Sequence, residues 1–169
     1  EEYYGVQKDR KGELFWYMHH QLLTRFNAER LSNDLNEVEP LEWNKPLEHG
    51  FYPQTTYRKG GEFPSRPDNF KFQDLTHLLR YDLRTSDVEA FEDRIRDTIA
   101  SGYALKKNTL EDKYIKLNNT EGINILGNLI EASANSVNPE FYGSIHNLGH
   151  IVLSRIADPL GKLGMPAGV

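Results

Sequence analysis

Four segments of the sequence repeat apolar residues every three or four positions, which is the spacing of one face of an α-helix. The predicted helices span residues 12–33, 86–102, 121–134 and 139–157. Ser86 and Glu89 match a capping box at the start of the second helix. Asn138 and Pro139 match a cap followed by proline at the first helical position of the fourth. The pattern therefore predicts a mainly α fold.

The stretch from residue 40 to residue 80 has no helical periodicity. It is broken by Pro40, Pro46, Gly50, Pro53, Gly60, Gly61, Pro64 and Pro67. Its many aromatic residues indicate packing against other elements, so we expect an ordered but irregular excursion with brief strands. Residues 103–118 alternate weakly and are expected to form a short hairpin. The predicted fold class is a mainly α helical bundle with a proline-rich irregular excursion and short strands.

Composition and motifs exclude several kinds of function. The chain has 169 residues, no cysteine and a net charge of −5. Disulfides, thiolate metal sites and cysteine nucleophiles are therefore excluded within these residues. Lysine and arginine are scattered, which excludes a broad nucleic-acid footprint, and no apolar run is long enough to span a membrane. The sequence also lacks the GxSxG, P-loop and GxGxxG motifs.

Two histidines four residues apart, His146 and His150, lie in the fourth predicted helix. This spacing puts both imidazoles on one helix face, one turn apart, as ligands of a shared metal require. The zinc-peptidase motif HExxH has the same spacing, but Asn147 occupies the position of its glutamate. A chance spacing, or a structural pair in a satisfied polar core, is the alternative. If a metal is bound, imidazole without thiolate suits copper.

A third candidate is His19, in the first predicted helix. On a helical wheel it falls inside the apolar stripe formed by Phe15, Met18, Leu22 and Phe26, whereas His20 falls at the edge of that stripe. The pattern thus favours His19 over His20 as a buried ligand. A core histidine bonded to a neighbouring polar group is the structural alternative.

Three further positions carry smaller hypotheses. Glu131 is either a buried acid near a metal or the start of a polar helix end. Asn118-Asn119-Thr120 matches the acceptor pattern for N-glycosylation. His49 and His77 have no partner at metal spacing and are interpreted as surface or structural residues.

Four blocks of the sequence together resemble the arthropod hemocyanin superfamily. They are DRKGELFWYMHHQLLTRFNAERLSNDL at 9–35, GGEFPSRPDN at 60–69, GINILGNLIEAS at 122–133 and FYGSIHNLGHIVLSRIADPLGK at 141–162. The superfamily contains oxygen-carrying hemocyanins, prophenoloxidases, and copper-free hexamerins and pseudohemocyanins. The stretch LEWNKPLEHGFYPQTTYRKGGEFPSRPDN at 41–69 looks closer to crustacean- or insect-type hemocyanin than to prophenoloxidase.

The resemblance implies that residues 1–169 are a fragment of the family's central helical domain, without the flanking N-terminal helical and C-terminal β-sandwich domains. In that domain six histidines hold a type-3 pair of coppers. By position, His19 resembles a ligand of the first copper, and His146 and His150 resemble two ligands of the second. Asn147 and Glu131 resemble polar residues around the site. Three of the family's six ligands would come from this chain.

The function that the resemblance implies is reversible binding and transport of dioxygen, which is not enzymatic. The chain would act with the remaining segments of its subunit, in a homo- or hetero-hexamer secreted into hemolymph. Two alternatives are a phenoloxidase that oxidises phenols to quinones and a copper-free storage protein.

Overall fold

A computed structural model describes residues 9–76, 82–107, 111–131 and 133–158. The helices are α1 (Lys11–Ser32), α2 (Thr85–Ser101), α3 (Gly122–Glu131), α4 (Pro139–Tyr142) and α5 (Ile145–Ala157). The strands are β1 (Tyr103–Leu105) and β2 (Tyr114–Lys116). The mainly α fold class is thereby confirmed. No helix in these ranges is both long and apolar enough to cross a membrane.

The weakly alternating segment forms a hairpin, as predicted. Strands β1 and β2 pair antiparallel, with Ala104 opposite Ile115 in the middle of the register. Ala104 is fully buried, while Tyr103 and Tyr114 at the ends are exposed. The alternation is weak because each strand has only three residues, which is too short for a clear pattern.

The excursion between α1 and α2 is irregular but ordered by isolated antiparallel bridges. The bridged pairs are Leu47 with Phe70, Phe51 with Arg66, Thr56 with Glu62, and Leu75 with Leu83. Near its tip the rings of Tyr57 and Phe63 stack with centroids 4.1 Å apart. The prediction of a proline-rich excursion with brief strands is confirmed.

The single helix predicted after Asn138 is in fact two. The Asn138 cap is confirmed, because its side chain accepts the N–H of Phe141 at 3.2 Å. The helix then breaks at Gly143, which has φ 65° and ψ −148°. A Cβ at Gly143 would lie 2.7 Å from the ring of Phe91, so glycine is required by both its conformation and its neighbour.

The capping box predicted at the start of α2 is wrong, although the start itself is within one residue, and α3 ends three residues before its predicted end. Helix α2 begins at Thr85, and its first turn is held by Asp87, whose carboxylate accepts the N–H of Arg84 at 2.9 Å, in place of the Ser86–Glu89 box. Helix α3 ends at Glu131 rather than near residue 134.

The chain divides into two compact units. One comprises Glu1–Leu41 with Phe91–Ile145, and the other comprises Glu42–Ala90 with His146–Val169. The core of the first unit is made of Ile95, Ala104, Ile125, Leu126, Leu129 and Tyr142. The buried apolar residues of the second unit are Phe72, Leu75, Leu83, Val88, Leu148 and Val152.

In the first unit, α1 crosses α3 with the backbones of the two helices in direct contact. A Cβ added at Gly127 would lie 1.9 Å from the carbonyl oxygen of Gly12, and one at Gly12 would lie 2.0 Å from that of Asn124. The N–H of Gly12 also donates to the side chain of Asn124 at 3.0 Å. The two helices are therefore closer at this point than any side chain would permit.

The rest of α1 presents large apolar side chains to solvent. Met18, Leu22 and Phe26 are 51%, 65% and 52% exposed, so the stripe expected to be buried is largely uncovered. Periodicity identifies an apolar face but does not identify what covers it. Nothing in the described part of the first unit covers this face.

A buried tyrosine joins three elements of the first core. Tyr142 is 1% exposed, and its hydroxyl lies 3.0 Å from Oγ1 of Thr98 and accepts the N–H of Leu105 at 2.8 Å.

We expect Tyr142→Phe to destabilise the subunit by about 1–3 kcal/mol, because it leaves a buried N–H without an acceptor. The midpoint of thermal unfolding tests this, with exposed Tyr114→Phe as the matched control. Equal midpoints for the two variants would contradict the assigned role of the hydroxyl.

Candidate metal centre

His146 and His150 face each other on the first turns of α5. Their Nε2 atoms are 3.0 Å apart, their ring centroids are 4.6 Å apart, and the rings are inclined at 82°. Both residues are half-buried. The spacing read from the sequence therefore brings two imidazole nitrogens to one point.

This separation fits a shared metal ion. Two nitrogen ligands, each about 2 Å from an ion, lie roughly 3 Å from one another when the angle at the metal is near 100°. The same separation also permits an N–H···N hydrogen bond between the rings, so the pair is satisfied in the absence of a metal. The metal site and the structural pair that the sequence left open are thus both compatible with this geometry.

The far nitrogen of His150 gives a second observation. Its Nδ1 is buried and finds no hydrogen-bond partner among the residues that the structure describes. A metal-ligating histidine ordinarily donates its other ring N–H to a carboxylate, a carbonyl or a water. For His150 such an acceptor would have to come from outside those residues.

His19 is oriented by the backbone of its own helix. Its Nδ1 lies 2.8 Å from the carbonyl oxygen of Phe15. Since a carbonyl only accepts, Nδ1 carries the hydrogen and Nε2 carries the lone pair that a metal would take. His19 is half-buried while His20 is exposed, as the helical wheel predicted.

A cavity of about 550 Å³ lies beside His19 in the first unit. It is lined by Glu13, Trp16, Tyr17, His19, His20, Leu23 and Ile123. Trp16 was not singled out by the sequence analysis, although it stands three positions before His19 and so shares its face. Its indole Nε1 is buried with no partner within the described ranges.

The two other polar candidates differ in their surroundings. Glu131 is half-buried at the end of α3, and its Oε2 is buried without a hydrogen-bond partner in the described part of the chain. It therefore combines the two alternatives, a buried acid and a helix end. Asn147 is exposed between the two histidines of α5. His49 is exposed as expected, and His77 lies outside the described residues.

The candidate ligands do not form a complete cluster by themselves. His19 belongs to one compact unit, and His146 and His150 belong to the other. In the ranges 9–76, 82–107, 111–131 and 133–158, no three His, Cys, Asp or Glu side chains gather closely enough to hold a metal ion.

Comparison with known proteins places these residues in a family. The family described as "Hemocyanin, copper containing domain" matches residues 1–168. The hemocyanin C chain of Panulirus interruptus is 50% identical over 98% of this chain and 24% of its own length. Pseudohemocyanin-2 of Homarus americanus is 41% identical over 95% of this chain and 23% of its own length.

One solved structure adds the fold. A crustacean hemolymph-type prophenoloxidase superposes with a TM-score of 0.81 at 40% identity, over 92% of this chain and 24% of that one. The chain therefore spans about a quarter of the length of the relatives it matches. The resemblance carried by the four sequence blocks is confirmed: the chain belongs to the family of hemocyanin copper-containing domains.

Proposed function

We propose that this chain contributes three copper-binding histidines to a subunit that binds dioxygen reversibly. His19 would be a ligand of one copper, and His146 and His150 would be ligands of the other. The observation that carries the proposal is the 3.0 Å approach of the two Nε2 atoms on α5. The 50% identity to a hemocyanin chain supports it.

When bound, a copper pair held by imidazoles supplies a centre that takes up and releases dioxygen. The contribution of this chain is to position the nitrogens. The Phe15 carbonyl fixes the ring of His19, and helical spacing fixes His146 against His150. Leu148 and Val152 of the same helix are buried and hold α5 in the second unit.

The remaining segments of the same subunit would complete the site. Residues 1–169 would be part of its central helical domain, since relatives that match this chain are about four times longer. Those segments would supply the other three histidines and cover the exposed face of α1, where Leu22 and Phe26 meet solvent. We further propose that the complete subunit assembles as a hexamer and is secreted into hemolymph.

A phenoloxidase is the second candidate. The crustacean prophenoloxidase shares the fold with a TM-score of 0.81. The cavity of about 550 Å³ beside His19 has room for a phenol ring, and Trp16 and Tyr17 offer it aromatic walls.

A copper-free storage protein is the third candidate. It is favoured by the 41% identity to a pseudohemocyanin. The 3.0 Å approach of His146 and His150 is compatible with both this candidate and the copper-binding proposal, so copper content has to separate them.

One set of measurements separates the three. The absorption spectrum of the whole native subunit is recorded in air and after removal of oxygen, together with copper per subunit. We expect two coppers and a near-ultraviolet band that disappears reversibly without oxygen. Rapid turnover of an added catechol would favour the enzyme, and absence of both copper and band would leave the storage protein.

A further inference from the structure

We propose that Asn118 carries an N-linked oligosaccharide, on the turn between β2 and α3. Asn118-Asn119-Thr120 is the only Asn-x-Ser/Thr triplet in the 169 residues. Oxygen binding neither requires nor implies such a modification. The argument rests on the surroundings of the triplet in the folded chain.

Nδ2 of Asn118, the atom to which the sugar would be attached, is free of hydrogen bonds to the described residues. Oδ1 of Asn118 accepts the N–H of Thr120 at 2.9 Å and the N–H of Glu121 at 2.7 Å. Nδ2 has no hydrogen bond to any of the described residues, and all three residues of the triplet are exposed. The amide is therefore held by its oxygen, with its nitrogen on the solvent side.

The modification is compatible with this role of the oxygen. Nδ2 forms a bond to C1 of an oligosaccharide carried on a polyisoprenyl diphosphate, the C1–O bond to that carrier breaks, and the amide loses one proton. The product is still an amide, whose carbonyl oxygen can accept the same two N–H groups. The turn that starts α3 is thus preserved when the sugar is attached.

The neighbours of the turn are also polar and accessible. Arg10 donates from Nη2 to the carbonyl oxygen of Thr120 at 3.0 Å, and it lies 3.9 Å from Glu121. The side chains of Arg10 and Glu121 are 44% and 48% exposed. A bulky glycan here would meet charged groups and water, and its presence would require this corner of the first unit to face solvent in the assembled protein.

The test uses the whole subunit secreted by cultured insect cells. Peptide mapping after enzymatic deglycosylation in heavy-oxygen water should show Asn118 converted to heavy-labelled aspartate. Thr120→Ser should keep the glycan, and Thr120→Ala should lose it. Asn118→Asp should lose it too, while keeping an oxygen that accepts the two N–H groups, so that a folded and secreted subunit without a glycan at position 118 results.

Two results would overturn the proposal. One is an unmodified Asn118 peptide from folded, secreted wild-type subunit. The other is a glycan that persists on the peptide containing Asn118 in Thr120→Ala. Because the proposal relies on the secretory route of the proposed function, copper and the oxygen-dependent band are measured on the same material. An oxygen-binding subunit without a glycan at Asn118 refutes only the glycan, and a subunit glycosylated at Asn118 but without copper refutes only the oxygen carrier.

Discussion

Replacing His150 by alanine in the whole subunit is expected to abolish the oxygen-dependent absorption band and to release the copper held by α5. The Nε2 of His150 lies 3.0 Å from that of His146, so the substitution removes one of two converging nitrogens. Loss of a hydrogen-bonding partner behind a ligand costs 10–100-fold in metal affinity. Loss of the ligand itself should cost more than about 100-fold. Copper per subunit and the band are measured together.

The matched controls are histidines outside the site. His49→Ala removes an exposed imidazole of the excursion and should change neither copper content nor the band. On α1, His19→Ala should lower copper content while His20→Ala, at the exposed neighbouring position, should not. A folded His150→Ala subunit that keeps both coppers and the band would mean that the pair on α5 is structural.

The second large effect is expected where α1 crosses α3. Gly127→Ala would place a methyl group 1.9 Å from the carbonyl oxygen of Gly12, so one helix backbone must move. Overpacking against side chains costs about 1–3 kcal/mol, and a clash with a backbone carbonyl, which is harder to displace, is expected at or above the upper end of that range. Alanine gains only about 1 kcal/mol over glycine in helix propensity. Net destabilisation of about 2 kcal/mol or more should appear as a lower midpoint of thermal unfolding.

Gly149→Ala is the control for the change from glycine to alanine in a helix. Its Cβ would lie 3.7 Å from the ring of Trp43, which is ordinary contact distance. We expect a midpoint equal to or slightly above that of the wild type. If Gly127→Ala behaved like Gly149→Ala, the helices could not be in backbone contact at Gly12.

The sequence predicts that helices exist better than it predicts where they end. Helix α1 was placed within one residue at either end, because a long periodic stripe leaves little choice. The break at Gly143 was missed because a glycine inside a periodic stretch is compatible with an uninterrupted helix. The helix ends where Gly143 adopts a positive φ, beside the ring of Phe91, which is distant in sequence.

In the candidate site, too, features within one helix could be predicted from the sequence, and contacts between elements could not. The approach of His146 to His150 follows from a four-residue spacing and could be predicted. The orphaned oxygen of Glu131 and the cavity beside Trp16 could not, since both depend on how α3 and α1 meet their neighbours. Motif and periodicity thus describe what one helix presents, and contacts between helices need coordinates.

The uncovered face of α1 also determines how the protein can be handled. A contiguous run of apolar side chains in water favours self-association, and Met18, Leu22 and Phe26 each expose about half of their surface or more. The 169-residue chain produced alone should therefore tend to aggregate. Histidines brought together in an aggregate would bind copper nonspecifically. The copper stoichiometry measured by titrating the isolated chain would therefore include sites that the folded subunit does not have.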